Sequence, residues 1–210
     1  MSLQTFEKLP FDRKERILSA GIRAFSKNSY KDVSTDSITK SCQISKGLLF
    51  HYFGSKKEYY LYCLDTAMSR LTEQTDPAAG NDFYEILFSG MAGKISLCLQ
   101  HRDEMHLVNM ASRDASTEIS AEKVAILSKY TTAIQSESMR TLHNALAALP
   151  LKEECRTKTA TEGIYLYIHA VLNRYLLVYQ QNPDQFFENI EQIKAEMKEY
   201  LDLILYGICN

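Results

Sequence analysis

Punctuation is sparse along this chain. Four prolines, at positions 10, 77, 150 and 183, and eight glycines are all that its 210 residues carry. Strands need a turn every few residues, so breaker-free intervals this long fit helices and little else. The apolar spacing agrees. Ile17, Gly21, Ala24 and Phe25 fall at i, i+4, i+7 and i+8, and Phe186, Ile190, Ile193, Met197, Leu201, Ile204 and Ile208 keep a step of three or four. No stretch reads as a strand. The spacing predicts helices near 11–27, 35–42, 46–52, 56–75, 82–100, 103–112, 118–148, 153–181 and 184–206, with ends good to about two to four residues. The breaks fall at Asp76-Pro77-Ala78-Ala79-Gly80-Asn81, Leu149-Pro150-Leu151 and Asn182-Pro183-Asp184. The fold class is therefore all-α, and no internal repeat or low-complexity tract interrupts it.

Composition narrows the function classes. With 45% apolar and 24% charged residues the chain is an ordinary globular protein, neither disordered nor fibrous. The stretch poorest in charge, Gly163 to Pro183, still holds His169, Asn173 and Arg174, short of the roughly 18 clean apolar residues that a bilayer span needs. The first residues show no basic segment followed by an apolar one, so no export signal is visible and a cytoplasmic location is expected. Cys42, Cys63, Cys98, Cys155 and Cys209 are scattered without paired spacing, which reads as small hydrophobes in a reduced interior.

Charge is uneven. Residues 1–60 hold eleven Lys and Arg against six Asp and Glu, a net of +5, and the remainder carries −7. A positive head on a negative body suits a protein of which only the head meets a polyanion.

The head has the lengths of a helix-turn-helix. Asn28-Ser29-Tyr30 ends the first helix, Ser34 stands at the N-cap position of the second, and Thr35 and Asp36 follow in a first turn whose free N–H groups suit a phosphate oxygen. A short helix, a turn of Gln43-Ile44-Ser45 and another short helix complete the unit. Helices this short cannot stand alone, and Phe25, Ile38, Cys42, Ile44, Leu49 and Phe53 are placed to build a core shared with the first helix. With Leu49 and Phe53 facing inward, Lys46, Gly47, Leu48, His51 and Tyr52 turn outward or to the flank, a surface suited to a DNA major groove.

Lys14-Glu15-Arg16-Ile17-Leu18 with Ala20 and Ala24-Phe25, then Thr35-Asp36-Ser37-Ile38, and above all the run from Ile44-Ser45-Lys46-Gly47-Leu48-Leu49 through Phe50-His51-Tyr52-Phe53 to Gly54-Ser55-Lys56-Lys57-Glu58, resemble the DNA-binding domain of the TetR/AcrR transcriptional regulators. The likeness covers about residues 11–60. It implies a homodimeric repressor with a DNA-binding domain at 1–55 and, at 56–210, a helical ligand-binding and dimerisation domain that frees the protein from a palindromic operator when a small molecule binds. By position it implies phosphate contacts from the helix start at Thr35, the hydroxyl or backbone of Ser45, Tyr52 and Lys56, with Lys46, Gly47, Leu48 and His51 against base edges and backbone. Three residues depart from the family pattern. Phe50 stands where a DNA-reaching Tyr is usual, Gln43 replaces a turn glycine, at up to about 1 kcal/mol if a left-handed conformation is required, and Leu48 replaces a commonly polar residue. Tyr30 is open between phosphate contact and packing, and Lys57 reads as a solvated lysine.

In the body, the 153–181 helix is apolar on nearly every side between Gly163 and Tyr179 and pairs with the final helix as the expected two-fold interface, a four-helix bundle. Polar groups inside apolar surroundings mark an expected ligand pocket, with Asn109, Tyr165, His169 and Asn173 as its polar residues and Tyr59, Tyr62, Met91, Met105, His106, Met110 and Tyr130 nearby. Ligand there is expected to move the helix that begins near Lys56. No phosphate loop, nucleophile elbow or metal-binding His pair is present, and His51, His101, His106, His143 and His169 are dispersed, so no enzyme activity, cofactor or metal is expected. The competing reading is a helical ligand- or protein-binding module without specific DNA binding.

Overall fold

The computed structural model describes residues 3–73, 77–179 and 181–208. Asp76 and Cys209, and the side chain of Ile208, lie outside that description. Eleven α-helices are present among the described residues, and no sheet: α1 Leu3–Glu7, α2 Phe11–Lys27, α3 Thr35–Ser41, α4 Lys46–Phe53, α5 Lys56–Leu71, α6 Phe83–Gln100, α7 Arg102–Arg113, α8 Ser120–Ala147, α9 Lys158–Val178, α10 Asp184–Glu188 and α11 Ile190–Ile208. Short 3-10 turns at Thr117–Ile119 and Glu153–Cys155 lead into α8 and α9. Periodicity did not show α1, and it ran the last helix through a break that the structure places at Asn189.

The chain divides into two compact units. One comprises residues 1–73 and 98–132, the other 74–97 and 133–210, so α6 and α8 each give residues to both.

In the first unit, Phe25, Ile38, Cys42, Leu49 and Phe53 are buried in one cluster, with Ile44 packed against it, as the spacing predicts. That cluster extends into α5 and α7 through Tyr59, Tyr60, Cys63, Leu64 and Leu107. A glycine sets the α2–α5 approach. A Cβ on Gly21 would stand 2.3 Å from the Tyr59 hydroxyl oxygen and 2.7 Å from Cys63 Sγ. Through that gap Tyr59 donates a 2.6 Å hydrogen bond to the carbonyl of Ile17, which satisfies an otherwise buried phenol. Arg70 ties three helices. It binds both carboxylate oxygens of Glu15 on α2, at 2.5 and 2.7 Å, and Glu104 on α7 at 2.6 Å.

The missing helix α1 has a purpose in the packing. Phe6 is fully buried and packs on Tyr52 and Phe53 of α4 and Tyr62 of α5, ring centroids 4.7–5.6 Å apart. Glu7 then accepts hydrogen bonds from Tyr62 and from Lys14, the latter at 3.0 Å.

The second unit has its own core. Phe83 and Leu87 of α6, Leu142, Ala145 and Leu146 of α8, Ile164, Tyr165 and Ile168 of α9, and Ile193, Met197 and Leu201 of α11 are buried together.

Candidate nucleic-acid interface and cavity

Recognition geometry begins at the turn between α3 and α4. Gln43 adopts φ +55°, the left-handed conformation that Gly supplies without steric cost. Ser45 caps α4, its Oγ accepting the Leu48 N–H at 3.1 Å, so its own proton and the first-turn N–H groups remain available outward. At the other end Gly54, at φ +78°, turns the chain into Ser55, which caps α5 by accepting the Glu58 N–H.

Between those caps, Lys46, Gly47 and His51 are exposed and Leu48 is half-buried. Lys46 lies 3.1 Å from Asp36 on α3, so its ammonium is held beside the neighbouring helix start. A Cβ on Gly47 would meet nothing within 4 Å, so no packing within the chain calls for glycine there. Phe50, where a DNA-reaching Tyr is usual, is half-buried.

Two expected orientations change, those of Tyr52 and Lys56. Tyr52, expected outward or at the flank, is only 5% exposed because Phe6 and Phe53 enclose its ring. The Thr35 side chain is buried at the start of α3, so the contact expected there is one for the backbone N–H groups of that first turn, as the sequence reading has it. Lys56 is folded inward, its Nζ 4.8 Å over the Tyr30 ring and donating to the Lys31 carbonyl at 3.2 Å, and burial lowers its pKa from the ordinary lysine value. Tyr30 itself is buried. It donates from its hydroxyl to Glu118 at 2.8 Å and from its backbone N–H to Asp114 at 2.7 Å, and burial first and Glu118 second push its pKa up to about 12. Lys57, read as solvated, pairs with Glu122 at 2.6 Å.

A basic, capped recognition helix on a three-helix platform is a DNA-reading device, and residues 17–62 match the model of bacterial regulatory proteins of the tetR family. The head of the chain is a TetR-type DNA-binding domain. This is a DNA-binding protein of transcription regulation. The chain is 23% identical over 208 residues to the HTH-type transcriptional regulator YerO of Bacillus subtilis, covering 94% of this chain and 66% of that one. It is 27% identical over 70 residues to the HTH-type regulator YhgD of the same organism, spanning 37% of that relative. Its fold is that of a TetR family regulator from Chloroflexus aurantiacus, at TM-score 0.62 and 20% identity over 99% of this chain and 98% of that one. It is also that of MexZ, a key repressor responsible for antibiotic resistance in Pseudomonas aeruginosa, at TM-score 0.67 and 16% identity over 92% and 94%. No described helix of the chain is long and apolar enough to cross a membrane.

The second unit encloses a cavity of about 300 Å³. Tyr165 and His169 line it, their rings tilted at 47° with centroids 4.2 Å apart. Asn173 is exposed, and Asn109 on α7 belongs to the first unit, so neither joins them. Tyr59, Tyr62, Met105, His106, Met110 and Tyr130 also belong to the first unit, whereas Met91 does line the cavity. The lining that sequence reading missed, all but Met91, Tyr165 and His169, had a signal that it shares with those three. Leu87, Gly90, Met91, Lys94 and Ile95 on α6, Ile134, Glu137, Ser138 and Thr141 on α8, and Tyr165, Ile168, His169 and Leu172 on α9 each keep i, i+3, i+4, i+7 spacing. A stripe of that kind faces one side of its helix whether it meets a core or a void, so spacing alone does not tell the two apart.

Proposed function

We propose that this regulator is a ligand-responsive repressor that binds a palindromic operator as a homodimer in the cytoplasm and leaves it when a small molecule occupies the body. In this reading residues 1–55 contact DNA and residues 56–210 bind the effector and pair. The observation that carries it is Gly47. An exposed helical glycine costs stability and serves no internal contact here, so its use lies in letting a partner's backbone come close to α4. Lys46 then leaves Asp36 for a guanine edge, Leu48 and His51 read neighbouring bases, and Ser45, the start of α3 at Thr35, and Lys56 meet phosphates, Lys56 swinging off the Tyr30 ring. Tyr52 enters as the buried support of that face rather than as a contact.

Pairing has its own support. On α9 and α11, Leu166, Leu177, Val178, Leu203 and Tyr206 are 65–92% exposed, an apolar face that a second copy would cover. Two recognition helices then reach half-sites roughly 34–36 Å apart. The effector site is the cavity of α6, α8 and α9.

The test is a mobility-shift titration against the DNA upstream of the protein's own reading frame across a range of salt. A specific shift that weakens steeply with salt is expected, because several phosphates are neutralised. A shift equal on random DNA, or none, favours the protein-binding module instead.

A further inference from the structure

Four polar side chains on one wall of the cavity have no hydrogen-bond partner among the described residues: Ser138 and Thr141 on α8, Tyr165 and His169 on α9. Tyr165 is the telling one. The residue as a whole is 9% exposed and its ring rests on His169, while its hydroxyl stays accessible to a ligand in the cavity. Apart from Lys94 on α6, the facing lining is apolar: Leu87, Met91 and Ile95 on α6, and Phe186 beyond α9. Formal charge on the lining cancels, since Lys94 and Glu137 have opposite signs, and neither is free: the Glu137 carboxylate is held by Arg140 through contacts of 2.7 and 2.8 Å, and Lys94 has an interaction of its own. Burying a charged ligand would therefore need a countercharge that the cavity does not offer in excess. Unused hydroxyls and an imidazole each donate and accept, so they suit oxygen atoms that do the same.

We propose that the cavity takes an uncharged, oxygenated aromatic compound, its rings against α6 and Phe186 and its hydroxyl or keto oxygens toward Ser138, Thr141, Tyr165 and His169. The inference rests on the effector reading above and sets its chemistry. A volume of about 300 Å³ admits a frame of two fused rings, at the lower end of the size usual for ligand sites.

The experiment is calorimetry on the full chain with four probes on one ring frame: naphthalene, a dihydroxynaphthalene, a naphthoate and a naphthylmethylammonium. The diol is expected to bind most tightly. Tyr165→Phe and Thr141→Val should each weaken the diol roughly 3- to 10-fold, the range of one ordinary hydrogen bond, while leaving naphthalene unchanged. Equal loss for both probes would mean a collapsed cavity and overturns the hydrogen-bonding wall. Tighter binding of the anion or the cation, or binding of no probe, overturns the proposal. Diol binding that leaves operator affinity unchanged would keep this ligand class and sink the effector reading instead.

Discussion

At the turn between α3 and α4, a glutamine occupies the conformation that glycine holds without cost. Gln43→Gly should relieve that strain, and the gain survives the extra freedom glycine gives the unfolded chain only in part, so about 0.5–1 kcal/mol of added stability is expected in a urea melt. Gln43→Val should lose stability, since a branched Cβ tolerates positive φ poorly. Equal midpoints for the two variants would show that the turn bears no strain. Gly47 gives the opposite kind of residue-scale test. With open space around its missing Cβ, Gly47→Ala should fold as well or up to about 1 kcal/mol better, yet lose operator affinity. Stability and affinity rising together would remove the close-approach reading. His51→Ala, on the exposed face, should cost about 1–3 kcal/mol on the true operator and little on random DNA, as read by competition binding.

Single elements show where sequence reading reached and where it stopped. The three helices of the head were legible because their apolar spacing is a local signal; Ser34 stands at its expected N-cap position without a side-chain capping hydrogen bond, whereas Ser45 and Ser55, not named as caps from the sequence, do cap. Helix α1 was not legible, since five residues with one buried aromatic carry no period, and Phe6 acquires its meaning from Tyr52, Phe53 and Tyr62 far along the chain. The outward reading of Tyr52 failed for the same reason, because its cover comes from outside the helix-turn-helix. The cavity polar residues divided along the same line, with Tyr165 and His169 sharing one stripe of α9 and Asn173 falling on its exposed side. Phe6→Ala should cost about 3–5 kcal/mol, because a fully buried ring is removed from among Tyr52, Phe53 and Tyr62. Acid should loosen the same element. The Glu7 carboxyl is held below its ordinary 4.5, first by the hydrogen bond from Tyr62 and then by that from Lys14. Its contribution is present above that value and is lost as pH falls through the lower folded value. Hydrogen exchange at α1 should therefore quicken in mild acid in the native chain, and Glu7→Gln should show fast exchange at neutral pH. Identical exchange in both would detach Glu7 from the anchoring.

For the whole molecule, the exposed apolar face of α9 and α11 joins folding to function. Leu203→Glu, at a position 74% exposed, costs little within one chain but places a charge in the proposed pairing surface. Sedimentation should report a monomer that still melts cooperatively, and its operator affinity should fall to that for random DNA. A dimer unaffected by the change would move the pairing surface elsewhere. The head is supported from both sides, with Phe6 beneath α4 and, through the Gly21 gap, Tyr59 behind α2. Anyone grafting this specificity onto another regulator would thus have to transplant the leading segment together with the reading helix. A chimaera spliced at the start of α2 would leave the ring of Tyr52 bare and carry over the alphabet without the spine that keeps its letters in order.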